Sequence, residues 1–559
     1  MTGAGESRGE RNRREDNSRR PNVLVIVADQ LRADHVGFGG NSVVRTPHLD
    51  ALATRGMVFE NATVANPTCM PNRASLATGR WPSSHGTRCN GIPLDPDSRT
   101  IMRSLADAGY RTIGVGKLHH QNMGWGFEPE QEDEILATAP LLLDPTAQDA
   151  RPRGGEEGWD RWEDRARHEE RFIPLPADYY GYQHVDLVVG HGDHPGGHYL
   201  HWARERGLDP DAVGGRDHAD VAYGGWDQVY RTAIPAELHP SAFIGEKAVE
   251  HLKDAAGQDA PFFLFVSFPD PHHPFSPPEG YDSLYRPAEI PLPLGFEQDH
   301  ARSPQHIRHM MSHRGEPGSD PTMTWAATAE QYRHAAAAQY GLITLMDEQI
   351  GRILGELEAQ GLADETIVVF TADHGDLFGD HGLMLKHFSH YRAVTNVPLI
   401  VALPTGADSR RPEPGGASSE PVARRSQALV SSPDLVPTLM ELTGAAPFRG
   451  IQGRSFLPVL IGGAEAHRSA LLVEEDQPFG LPGLPGPVRM RTVITSEGRL
   501  TRYFGAGETE LYDHISDPGE LENLAGRPEH RELERRLTEA LVVEMASLAD
   551  EGTAPTAAA

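Results

Sequence analysis

Four short runs of apolar, largely β-branched residues limit the folds open to this chain: VLVIVA (23–28), YRTIGVG (110–116), FFLFVSF (262–268) and TIVVFTA (366–372). A strand with one wet face alternates apolar and polar residues. These runs do not alternate, so each predicts a strand covered on both faces, as in a parallel sheet. Helical patterns fall between them. SAFIGEKAVEHLKDA (241–255) opens on Ser and carries an apolar stripe, and the Ala-rich stretch 329–361 is stopped by glycine. SPDLVPTLMELTG (432–444) opens on Ser-Pro and closes on Gly. The alternation predicts an α/β sandwich, a large, mostly parallel or mixed sheet between helices.

A chain of 559 residues exceeds one small core. We expect an α/β domain over 21–462 and a small α+β domain over 463–552. The latter has antiparallel strands such as VRMRTVITSEGRLTRYF (488–504) and a helix near 528–548. Residues 130–235, rich in Pro, Gly, Asp and His, predict loops layered over the sheet, including HYLHW (198–202) as a pocket-shaping piece. PTGADSRRPEPGGASSEPVARRS (404–426) predicts a surface loop. Residues 1–20 and 553–559 predict disordered tails. A formal charge of −29 disfavours nucleic acid as a partner. No apolar run reaches membrane-spanning length, and the basic N-terminus lacks the apolar core of a secretory signal, so the expectation is a cytoplasmic protein with no membrane partner.

Each of the four runs ends in polar residues that a strand terminus does not need. They are Asp29-Gln30, Lys117-Leu118-His119-His120, Asp270-Pro271-His272-His273-Pro274 and Asp373-His374-Gly375-Asp376. Open parallel sheets bind ligands outside the carboxyl ends of their strands, so these residues converge on one edge. Singly, each has a plain reading: Asp29 can end a strand, and Asp373-His374-Gly375 can make a turn. Together a carboxylate and an imidazole suit a divalent cation. Lys117, directly after a buried strand and a glycine, suits an anion. The prolines around His272 and His273 fix two imidazoles, one a candidate general acid and the other structural. The other histidines of the loop region, His184, His191, His194, His198 and His201, read as loop packing.

Two cysteines occur, Cys69 and Cys89, and one disulfide would do little for a chain this long. Cys69 opens CMPNRASLATG, in which Pro71 suits the first turn of a helix and Gly79 its stop. A helix N-terminus favours an anion, and Arg73 can fold back to the same place. An activated thiolate is one reading of Cys69; a buried structural thiol is the other.

At these residues the chain resembles the type I sulfatases of the alkaline phosphatase superfamily. Cys69, Pro71, Arg73, Leu76, Thr78, Gly79 and Arg80 match the signature C-x-P-x-R-x-x-L-x-T-G-R. Gly109-Tyr110, Thr112, Gly116-Lys117 and His119 match the second signature, G-Y-x-T-x-x-x-G-K-x-H. PHHPF, TADHGD, GRSFLPVL and ELYDHISDPGELENLA extend the resemblance over most of the chain.

The resemblance implies that Cys69 is oxidised to Cα-formylglycine by a formylglycine-generating enzyme. One hydroxyl of the aldehyde hydrate then attacks the sulfur of a small sulfate ester and expels the alcohol, and loss of a proton from the second ejects sulfate. It implies a divalent cation, Ca²⁺ with Mn²⁺ or Mg²⁺ as alternatives, on Asp29, Gln30, the converted Cys69, Asp373 and His374. Arg73 would steady the formylglycine oxygens, and His119 would take the second hydroxyl's proton. Lys117 and Lys386 would neutralise the sulfate, and His272, with Lys386, would protonate the leaving oxygen. Departures exist. Gln30 stands where many sulfatases carry a second Asp, as it does in phosphonate monoester hydrolases and choline-sulfatase-like enzymes. Asn90 resembles a substrate-binding position of the phosphonate hydrolases. Asn72 is at a variable position. A phosphonate monoester or phosphodiester hydrolase is therefore the alternative enzyme, and an inactive metal-binding protein the alternative if Cys69 stays a thiol.

Overall fold

The computed structural model describes residues 20–150, 158–219, 221–318, 320–404, 423–554 and 556. The expected N-terminal tail up to residue 19 and loop residues 405–422 lie outside the described residues, as do 555 and 557–559 of the C-terminal tail.

The four apolar runs are strands of one nine-stranded sheet. Its members are β1 (Asn22–Ala28), β2 (Met57–Thr63), β3 (Arg111–Gly116), β4 (His184–Val189), β5 (Gly196–Gly197), β6 (Phe262–Ser267), β7 (Thr366–Ala372), β8 (Leu399–Ala402) and β9 (Arg424–Ser431). The order across the sheet is β9-β2-β8-β7-β1-β6-β3-β4-β5. β7, β1, β6, β3 and β4 are parallel neighbours, whereas β8 and β5 run against their partners. Every residue of β1 and β7 is buried, which requires cover on both faces and explains their unbroken apolar pattern.

The register lines up the strand ends. Ala28 lies opposite Ala372, and Ser267 lies opposite both Val27 and Gly116. The chain therefore leaves β1, β3, β6 and β7 at one level, and the polar residues that follow share one edge.

Four helices hold that edge in place. α1 (Cys69–Thr78) follows β2 and ends at Gly79, whose φ of 66° a residue with a Cβ rarely adopts. α2 (Pro240–Ala255) packs on β3 and β6 and on the long α3 (Ala329–Ala359), whose start is a capping box of Thr328 and Gln331. α4 (Leu435–Thr443) packs beside α1.

Two stretches differ from their expected loop character. Within 130–235, His184–Val189 is a buried parallel strand and His198–Glu205 a helix, because HVDLVV has enough apolar residues to extend the sheet beside β3. Arg424–Ser426, expected at the end of a surface loop, begins β9, where pairing with β2 outweighs the run's polarity.

After residue 463 come four antiparallel strands in sequential order: β10 (Leu471–Gln477), β11 (Val488–Ile494), β12 (Gly498–Phe504) and β13 (Glu508–Asp513). α5 (Arg531–Ser547) packs against β10, β11 and β12. A buried ion pair ties this unit to the main sheet. Asp434, just before α4, accepts from Arg468 Nε at 2.7 Å and from the backbone N–H groups of Ser431 and Arg454. Breaking such a pair strands one buried charge and costs about 3–5 kcal/mol. Asp434→Ala is therefore expected to lower unfolding stability by about that amount, read as a shift in the urea midpoint; an unchanged midpoint would contradict the role given to the pair.

Candidate active site

Strand ends and one helix start deliver the site. Cys69, the first residue of α1, is buried, with Sγ 3.1 Å from His374 Nε2, 3.2 Å from Lys386 Nζ and 3.7 Å from Asp29 Oδ1. Arg73, one turn on, donates from Nε to Asp373 Oδ2 at 2.7 Å and from Nη1 to Lys117 O at 2.7 Å and Ser267 Oγ at 2.8 Å. Its Nη2 lies 3.5 Å from Asp29 Oδ2. Lys117 Nζ donates to Asp29 Oδ2. Lys386 Nζ lies 3.1 Å from His272 Nε2 and 3.0 Å from His374 Nε2. Asp29, Cys69, Arg73, Lys117, His272, Asp373, His374 and Lys386 thus form one continuous contact network.

Tautomers follow from the second ring nitrogens. His374 Nδ1 is 2.8 Å from Gly375 O, so Nδ1 carries the proton and the Nε2 lone pair faces Cys69 and Lys386. His272 Nδ1 likewise faces His273 O at 2.5 Å, which leaves its Nε2 to accept from Lys386.

The charges are compensated, not merely buried. Burial alone would raise Asp29, but Lys117, Arg73 and Lys386 outweigh it and hold the carboxyl well below its ordinary range. Burial pushes His374 down to about 4, and burial with neighbouring cations pushes His119 and His272 well below the ordinary imidazole range. These rings are neutral bases at neutral pH. Burial and the Asp29 charge push the Cys69 thiol up against the opposing pull of Lys117 and Lys386, which disfavours the activated-thiolate reading.

The donor set suits a divalent cation. Donor atoms of Asp29, Cys69, Asp373 and His374 all lie within 4.8 Å of one another and are buried. Gln30 Oε1 is buried without a hydrogen-bond partner, while Gln30 Nε2 donates to Asp376 Oδ2 and lies 3.2 Å from His273 Nδ1. That arrangement holds the amide oxygen away from the groups that anchor its nitrogen, leaving it available to a cation. Two carboxylates, an amide oxygen and an imidazole lone pair are mainly hard donors, and the thiol stands where an oxygen would complete the set.

The remaining expected residues lie at the margins. His119, at φ 55°, is buried with Nδ1 unpartnered, and the Glu163 carboxylate accepts its backbone N–H at 2.6 Å and that of His120 at 2.8 Å. Asn90 is exposed and its Oδ1 accepts the Met70 N–H at 3.1 Å, so it caps the start of α1 from outside. Cys89 is free and buried.

Several participants carried no signal in the chain. His191, expected as loop packing, follows β4 and sets Nε2 against Lys117 Nζ, with its ring stacked on His272 at 3.7 Å. Asn72 donates to Asp373 O at 2.5 Å and accepts the Ala65 N–H at 3.0 Å, fastening α1 to the end of β7. Glu475, on β10, accepts from His390 Nε2 at 3.1 Å and from Phe388 N at 3.3 Å, and lies 3.4 Å from His387, so the smaller sheet grips the segment that carries Lys386. By contrast HYLHW forms a helix whose His198 faces Ile173 O and the Leu187 N–H, away from the network.

Residues 21–152 and 190–445, well over half of the chain, match the family model described as sulfatase. The chain belongs to the sulfatase family. Residues 379–547 of this sulfatase also match the model described as N-sulphoglucosamine sulphohydrolase, C-terminal. It is 28% identical over 542 residues to the multifunctional alkaline phosphatase superfamily protein PehA of Trinickia caryophylli, covering 92% of this chain and 93% of that one. It is 26% identical to an arylsulfatase of Clostridium perfringens, covering 94% of each. Among solved structures it resembles the phosphonate monoester hydrolase of Agrobacterium radiobacter, with a TM-score of 0.70, 26% identity and coverage of 95% of this chain and 97% of that one. Membership makes this sulfatase a hydrolase of the sulfuric-ester class within the alkaline phosphatase superfamily, with the expected sandwich fold. No helix among the described residues is long and apolar enough to cross a membrane.

Because Glu475 grips the residues on either side of Phe388, Glu475→Ala is expected to let the Lys386 ammonium drift from the site. A displacement of ~1 Å in a charged group of this kind costs about 10²-fold in turnover. Steady-state kinetics on an aryl sulfate checks this, and an unchanged kcat would show that the main sheet holds Lys386 unaided.

Proposed function

We propose that this sulfatase hydrolyses a small sulfate monoester through a formylglycine generated at Cys69, matured by a formylglycine-generating enzyme. The observation that carries the reading is the convergence of the Lys386 ammonium, the neutral His374 imidazole and the Asp29 carboxylate on the Cys69 side chain, inside a family whose two signatures the chain matches. Formylglycine, once hydrated, would supply a hydroxyl for the sulfur and a second hydroxyl whose deprotonation releases sulfate. A divalent cation, Ca²⁺ by preference, held by Asp29, Gln30, residue 69, Asp373 and His374 would supply Lewis-acid polarisation of the reacting oxygens.

The rest is done by side chains. Lys117 and Lys386 balance the sulfate charge at a place where burial strengthens every charge contact. Arg73, fixed by three partners, holds the helix start against Asp373 and Lys117. Lys386 is the proton reservoir for the departing alcohol: it donates towards His272 Nε2, so the pair can pass a proton to the leaving oxygen. His119, neutral and with a free ring nitrogen, takes the proton from the second hydroxyl. Asn90 meets the substrate side of the helix start. Conversion of Cys69 would leave Cys89, buried and free, as the one thiol, which suits a reducing compartment and supports a cytoplasmic location.

Gln30 beside Asp29, with the likeness to the Agrobacterium phosphonate hydrolase, supports phosphonate monoester hydrolysis as the second reading. Retention of the thiol would make the chain an inactive metal-binding protein. The expected result of mass spectrometry on the Cys69 peptide from the native host is the thiol-to-aldehyde mass change. Side by side, kcat/KM for phenyl sulfate is expected to exceed that for phenyl phosphonate; the reverse order would transfer the assignment to the second reading. Dialysis against a chelator is expected to abolish turnover, and add-back of Ca²⁺, Mn²⁺ and Mg²⁺ in separate samples would identify the cation.

A further inference from the structure

Four rings form a column that runs outward from the site. His273 stacks on His272 at 4.1 Å and 27°, His272 on His191 at 3.7 Å and 15°, and His191 on Trp125 at 5.6 Å and 19°. His273 is the inner end, and His272, the second ring, faces Lys386. The His191 side chain is 12% exposed, whereas Trp125 is 52% exposed and is the single exposed tryptophan among the described residues. We propose that Trp125, backed by His191, forms the wall of the leaving-group subsite, on whose open indole face a planar aromatic alcohol stacks, so that aryl sulfates are the preferred substrate class. The inference rests on the sulfatase reading of the site.

The indole is held where it is. Met123 O accepts the Arg165 N–H at 3.1 Å, Asn122 Oδ1 accepts the Gly124 N–H at 3.0 Å, and Met123 Sδ lies 3.3 Å from Gly190 N, next to His191. Two anchored backbones therefore present one stacked pair of rings. The half of the indole that stays in water lies beside a polar reaction centre, where a planar ligand can cover it.

The charge at the column's edge selects among alcohols. Lys117 Nζ touches His191 Nε2, and Lys386 Nζ lies 3.1 Å from His272 Nε2. A quaternary ammonium alcohol would approach two like charges, whereas a neutral aryl ring would not. A sugar needs partners for its hydroxyls, and His191 Nε2 is already engaged by Lys117 while the indole offers an open face. An aryl ring needs only that face, preferring offset or edge contact with the indole.

The test compares the full-length wild type with Trp125→Ala and Trp125→Phe. Substrates are phenyl sulfate, ethyl sulfate, choline sulfate and glucose 6-sulfate, with released sulfate measured. Stacking of this kind is worth about three- to tenfold. The ratio of kcat/KM for phenyl over ethyl sulfate is expected to fall by about that factor in Trp125→Ala, chiefly through KM, and to recover in Trp125→Phe. An unchanged ratio, or a larger loss on choline sulfate or glucose 6-sulfate, would overturn the proposal. If the wild type releases sulfate from none of the esters, the sulfatase reading itself fails. Calorimetric binding of benzenesulfonate then reads the stack alone, being weaker in Trp125→Ala if the subsite exists and equal in all three proteins if it does not.

Discussion

Everything at the reactive edge depends on the buried contact of Asp29 with Lys117 and Arg73, completed by Arg73 with Asp373. These four charges come from β1, β3, α1 and β7, and none is stable in the interior without the others. The network is therefore both the latch that closes four elements at one level and the field in which the chemistry runs. Burial first, and then the neighbouring cations, keep His272 and His119 neutral, since protonating either would add charge to a dry site already rich in cations.

Parts of the chain outside that latch act on it at one remove. The insert supplies β4, and with it His191 against Lys117; the small sheet supplies Glu475, which orders the segment around Lys386; within the latch, Asn72 of α1 adds a fastening to the end of β7. Each ammonium that would face the sulfate is thus set by a partner from a different part of the chain. A division into a catalytic sheet and accessory pieces fits this molecule poorly, because the accessory pieces decide where the two lysines sit.

The four central strands were legible because full burial leaves no alternation in their residues, and the polar endings were legible because strand termini have no need of them. Cys69 was legible as the opening of a helix from Pro71 and Gly79, and the family of the chain from the long signature around it. His191 was not: it stands in a stretch crowded with histidines, and only the pairing of β4 with β3 selects it from His184, His194, His198 and His201. Glu475 and Asn72 gave no signal either, since a carboxylate in a strand and an amide in a helix become positioning groups only through partners 85 and 301 residues away.

What the amino-acid sequence determined by itself was local and additive: which runs bury both faces, where helices start and stop, and which chemical groups lie at strand ends. It carried the family in the same way, through contiguous signatures. The tertiary structure alone decided which of those groups meet, which ring nitrogens carry protons, and which charges surround the Cys69 thiol. The reason is physical: charge compensation and tautomer choice depend on distances of a few ångströms between residues far apart in the chain, and those distances exist only once the sheet has set its register.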